Sequence, residues 1–126
     1  MSAAGPTEPR TPEDFFAGRP VGLLVLRRLC ALLADRDLEI RVSTSQVALR
    51  RRRDFAWLWL PDRYLHRPAA EVVLSLALGR EVHSSRFKEV VHPAARHWMH
   101  HLELSDAAQV DEEVAAWVRE AFDRAT

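Results

Sequence analysis

Cysteine is nearly missing from this 126-residue chain: Cys30 stands alone, so no disulfide framework can brace the fold from within. Long apolar runs are missing too. Stretches such as Val21–Leu26 are far too short to span a bilayer. The start of the chain has no basic segment followed by an apolar block, so no secretory leader is expected and cytoplasmic residence is the default. There is no net charge, with 18 basic residues against 18 acidic ones. That balance argues against a dedicated nucleic-acid binder, whose footprint is strongly basic. The HExxH, GxSxG, P-loop and Rossmann glycine patterns are all absent, so no catalytic signature stands out.

What is present is ordinary for a globular protein, at 48% hydrophobic and 29% charged residues. The length suits one domain with one core. Met1–Arg10 mixes Ala, Gly, Pro and polar residues without periodicity and reads as a disordered tail, leaving residues 11–126 as a single domain. The charge is unevenly spread. Arg41 to Arg53 holds five arginines and no acid, whereas Glu103 to Thr126 holds seven acids against two arginines.

Thr11-Pro12-Glu13-Asp14 has the makings of a helix start: an N-cap hydroxyl, proline at the first position and acids at the positive end. Phe15 and Phe16 anchor that short helix and Gly18 ends it. A second helix runs from Pro20 to about Arg36, with Leu26, Leu29, Cys30 and Leu33 on one stripe. The pattern then turns to strands over Glu39–Ser43, Gln46–Arg51, Phe55–Leu60, Glu71–Leu78, Arg86–Val91 and His97–Leu104, with turn-like separators. Such short connections predict antiparallel neighbours. Asp106 and Gln109 form a capping box for a last helix bearing Val110, Val114, Trp117, Val118 and Ala121 on one face. The expected fold is α+β: an antiparallel sheet of five or six strands, with N-terminal helices and a C-terminal helix packed mainly on one face.

Alternation sorts the strand residues onto two faces. One collects Val47, Leu49, Leu58, Leu60, Val72, Leu74, Leu76, Phe87, Val91, Trp98, Leu102 and Leu104, a hydrophobic wall for the helices to cover. The other collects Gln46, Ala48, Arg50, Phe55, Trp57, Trp59, Val73, Ser75, Arg86, Lys88, His97, Met99, His101 and Glu103. This second face puts aromatic planes beside cations, histidines and a carboxylate. Three readings fit it: a sheet surface on which Arg and Lys stems lie over tryptophans, a concave ligand site, or an interface between two copies of the chain. A bulge in any strand would turn its residues over.

His97 and His101 share a face with Glu103, but no closed set of metal ligands is visible, so neither metal nor cofactor is expected. Cys30 lies on a buried stripe and reads as packing. Arg50–Arg53 resembles a nucleic-acid element, although charged turns also guard sheets against aggregation. The aromatics that follow it, Phe55, Trp57 and Trp59, suit stacking on single strands.

Several blocks resemble a small bacterial family known as domain of unknown function 5655. They are Ser45-Gln46-Val47-Ala48-Leu49-Arg50-Arg51, Phe55-Ala56-Trp57-Leu58-Trp59, Val73-Leu74-Ser75-Leu76, Ser85-Arg86-Phe87-Lys88-Glu89-Val90-Val91 and His100-His101-Leu102-Glu103-Leu104, in that order, over Leu38 to Phe122. Thr44 stands where that family has a lysine. The resemblance implies a cytoplasmic bacterial module with no catalytic residues to carry over, and it adds weight to Gln46, Arg50, Arg86, Lys88 and His101.

The reading these residues favour is a non-enzymatic module, with no membrane association, that binds a planar or anionic small molecule on the second face. The proposed site comprises Gln46, Arg50, Trp57, Trp59, Ser75, Arg86, Lys88, His101 and Glu103. A nucleic-acid-associated protein using Arg50–Arg53 is the alternative, and an enzyme using His101 and Glu103 comes third.

Overall fold

The computed structural model describes residues 8–63 and 70–126. Most of the expected N-terminal tail therefore lies outside the described residues. Helix α1 (Pro12–Phe15) opens on the expected box: the Thr11 hydroxyl accepts the Asp14 N–H at 3.1 Å and the Asp14 carboxylate accepts the Thr11 N–H. Gly18, at φ 73°, makes the turn that follows. Helix α2 (Pro20–Leu32) is shorter than expected; it buries Val25, Leu26 and Leu29, with Leu33 buried just past its end and Cys30 only partly covered.

The ring of Phe16 packs directly on Gly22, where any Cβ would fall well inside contact distance of the ring edge. Phe16 is itself buried and cannot swing away. Gly22→Ala is therefore expected to lower stability by about 1–3 kcal/mol through overpacking, despite alanine's better helix propensity. Denaturant titration of the purified variant reads this directly, and an unchanged midpoint would mean that the ring relocates at no cost.

Strands β1 (Glu39–Val42), β2 (Val47–Arg50), β3 (Asp54–Trp59), β4 (Val72–Leu78), β5 (Phe87–Ala94) and β6 (His97–Leu104) form one antiparallel sheet in the order β1-β2-β3-β4-β6-β5. β4 and β5 follow each other in sequence but do not pair, because β6 lies between them. Beyond β6, the Asp106–Gln109 capping box is present, yet it caps only a 3-10 turn at Ala107–Gln109. Helix α3 (Glu112–Arg124) starts separately, with Asp111 accepting the Val114 N–H and Glu112 and Glu113 in its first turn. No helix of the described residues is long and apolar enough to cross a membrane.

The wall is real. Val47, Leu49, Leu58, Leu60, Val72, Leu74, Leu76, Leu102 and Leu104 are buried in one cluster with Val25 and Leu29 of α2 and Val114, Trp117, Val118 and Phe122 of α3. None of Trp57, Trp59, Val73 or Met99 belongs to that cluster.

Two bulges correct the face assignments. Leu49 pairs with Ala56 and Arg50 with Asp54, so Phe55 is the extra residue on β3. It turns to the helix side, fully buried and edge-on to Phe122 at 5.4 Å. On β5, Phe87 pairs with Leu102 and Glu89 with His101, so Lys88 is the extra residue there. Beyond it the alternation reverses: Val91 leaves the wall, pairs with Met99 and is 40% exposed. Trp98 is only partly buried and its ring stacks on His92 at 3.5 Å.

Candidate functional site

The register places side chains of the second face in straight rows across the sheet. One row runs Arg41, Ala48, Trp57, Ser75, His101, Glu89, from β1 to β5. The next holds Trp59, Val73 and Glu103. Where these rows reach β6 and β5, a cavity of about 270 Å³ opens, lined by Trp59, Pro61, Val73, Lys88, Glu89, His101 and Glu103.

Behind the cavity wall the polar groups are linked in a chain. The Trp59 indole N–H donates to Ser75 Oγ at 2.9 Å, and Ser75 Oγ lies 2.7 Å from His101 Nδ1. An indole only donates, so the serine oxygen accepts from it. A hydroxyl carries one proton and two acceptor lone pairs, so Ser75 can either donate to Nδ1 or accept from Nδ1–H, and the chain is complete with either neutral tautomer of His101. Burial pushes the His101 pKa down and favours the neutral ring, while the Glu89 carboxylate opposes this by favouring the protonated one. The Trp59 and His101 rings meet edge to face, 6.4 Å between centroids, so each fixes the orientation of the other.

The Ser75–His101 pair does not make a nucleophile. Ser75 is 3% exposed in the middle of β4, on a ladder paired on both sides. Its oxygen is occupied by Trp59, and the backbone around it has no strained turn that could offer two free N–H groups to an oxyanion. Among the described residues, no three His, Cys, Asp or Glu side chains come close enough to share a metal ion.

Of the residues proposed from sequence, the structure brings together Trp59, Ser75, Lys88, His101 and Glu103. Trp57 lies in the row of Ser75 and His101, directly opposite Ser75, but does not line the cavity. Gln46 sits at the β1–β2 turn, where its carbonyl accepts from the Ser43 N–H and hydroxyl. Arg50 pairs with Asp54 across the β2–β3 turn and donates to the Arg52 carbonyl. Arg86 is turned toward α3: its guanidinium holds both Asp111 oxygens at 2.9 and 3.0 Å, Glu113 and the Gln109 carbonyl. That contact holds the Asp111 carboxyl below its ordinary range. Sequence alternation missed Glu89, which only the β5 bulge turns to this face, and Pro61, which lies beyond the end of β3.

The arginine turn has a structural occupation. Arg51 donates to the Phe122 carbonyl and lies over its ring at 4.6 Å, Arg53 donates to the Arg124 carbonyl at 2.9 Å, and the Arg52 N–H donates to Ala125 O. Three consecutive residues thus donate to carbonyls at the negative end of α3. Only the Arg52 side chain is left out of this arrangement.

The order of these blocks along the sheet, from the β1–β2 turn to the cap of α3, is matched by a family model over residues 14–125. The chain belongs to DUF5655. The match takes in every strand and all of α2 and α3, so in this DUF5655 member the cavity and the arginine cap both lie inside the family's own boundaries. The description, a domain of unknown function, assigns no activity to the DUF5655 fold. No curated protein and no solved structure matches the chain.

Proposed function

We propose that this protein is a small-molecule binding module that holds a planar ligand in the cavity between Trp59 and β5. The observation that carries this reading is the Trp59–Ser75–His101 chain. It fixes two rings at a cavity outside the main core. A core does not need such a device there, whereas a recognition site needs a few polar groups held in place on an apolar wall. The indole supplies stacking surface, and the His101 ring, held at Nδ1 by Ser75, supplies a directed hydrogen-bonding atom at Nε2.

The test is titration of a panel of planar metabolites, followed by tryptophan fluorescence and by calorimetry. Trp59→Ala and His101→Ala should each weaken binding at least tenfold while the protein stays folded. Ser75→Ala, which removes the link between the two rings but neither ring itself, should weaken it less. If no planar compound binds, or if Trp59→Ala leaves affinity unchanged, the cavity is not a ligand site.

A further inference from the structure

Resting on that reading, we infer that the cavity takes a planar cation, of the amidinium or protonated aminoheterocycle class, and discriminates against carboxylates and phosphates. The positive charge that the sequence offers to this face does not arrive. Arg50 is spent on Asp54, and Arg86 is spent on Asp111 and Glu113 at α3. Lys88 remains, and it arrives with two carboxylates, Glu89 and Glu103, on the same cavity. Neither carboxylate has a hydrogen-bond or ion-pair partner among the described residues. His101 is half-buried beside Trp59, and burial favours its neutral ring, so it adds no positive charge.

Among the described residues that line the cavity, one ammonium against two carboxylates leaves a net charge of minus one. The aromatic wall acts in the same direction, since an indole face attracts cations through its quadrupole. An anion would meet two carboxylates in a partly desolvated space, where like charges repel more strongly than in water. A ring carrying an amidine or amino group can lie on Trp59 and donate to Glu103 or Glu89. A ring nitrogen of an aminoheterocycle can in addition hydrogen-bond to His101 Nε2.

The probes are benzamidine, benzamide and benzoate, nearly identical in shape and differing in charge, titrated against the full chain by calorimetry and by nitrogen-15 NMR. The expected order is benzamidine tightest and benzoate weakest, with about tenfold or more between the two. Glu103→Gln and Glu89→Gln should each reduce that ratio, and Lys88→Met should increase it. Glu89 lies exposed on an edge strand, so its variant keeps the test open if Glu103→Gln unfolds. Benzoate binding as tightly as benzamidine would overturn the charge inference and leave the ligand site standing. Perturbation of the cavity by none of the three at millimolar concentration would overturn both.

Discussion

Replacing Trp117 with alanine should lower the unfolding free energy by about 3–5 kcal/mol, the range for deleting a large aromatic from a core. Trp117 is 7% exposed, and its ring lies 4.6 Å from that of Phe87 on the edge strand β5. Phe87 in turn meets the buried His100 ring at 4.8 Å. This line of rings is how α3 grips the far edge of the sheet, where β5 has β6 as its only strand neighbour. Small domains have only about 5–15 kcal/mol of net stability, so the variant should be marginal at room temperature. Urea titration measures it, provided that the slope matches the parent's. Trp59→Ala provides the internal contrast: that ring lies partly exposed outside the main core, and its loss should cost much less. Equal losses for the two variants would mean that the second face carries as much of the core as the first.

The second large effect is on acid stability. His100 is completely buried. Its Nε2 accepts the Val82 N–H at 2.9 Å, and its Nδ1–H donates to the Trp98 carbonyl at 3.1 Å. Both ring nitrogens are used by the neutral form, and a second proton on Nε2 would point at an N–H. Burial pushes its pKa below the ordinary histidine value, as it does for His97 and His101. A base whose folded-state pKa is depressed contributes stability that is fully present above its unfolded value, about pH 6.5, and is lost as pH falls through the folded value. Stability should therefore be flat between pH 8 and 7 and should fall below about pH 6.5. The slope is at most about 1.4 kcal/mol per pH unit for each proton taken up. His100→Leu should cost about 1–3 kcal/mol at pH 7.5, because it strands the Val82 N–H, and should flatten the slope. Denaturation midpoints at half-unit pH steps decide the matter. A parent protein equally stable at pH 7.5 and 5.5 would show that these rings are not held neutral by the fold.

The α+β architecture was legible because turn residues separate the strand-like runs and α3 carries an unbroken apolar stripe; strong periodicity survives tertiary context. The bulges were not legible. Whether Phe55 or Lys88 is the unpaired residue depends on the ladder partner, and nothing in the local sequence marks either. One such residue was enough to move Phe55 into the core and Glu89 onto the site. The arginine turn misled for a different reason. Its partners, the carbonyls ending α3, lie 71 residues away from Arg51 and Arg53, and a charge run reads as a surface until the helix end it caps is known. Trp59, Ser75 and His101 were each placed on the correct face by parity alone, but their hydrogen-bonded linkage needed the register.

Lys88 has one more property, which concerns how such a site could change over time. It has no counterpart on β6: Phe87 is already opposite Leu102, and Glu89 is already opposite His101. Deleting that single codon would therefore remove the irregularity between Phe87 and Glu89 without altering the partner of any later residue in β5. The only lysine in the chain would disappear from the cavity, while the wall, the arginine cap and the Trp59–Ser75–His101 chain kept their positions. Because β5 is an edge strand, the charge of the pocket can drift by insertion or loss of one residue while selection on the core continues undisturbed.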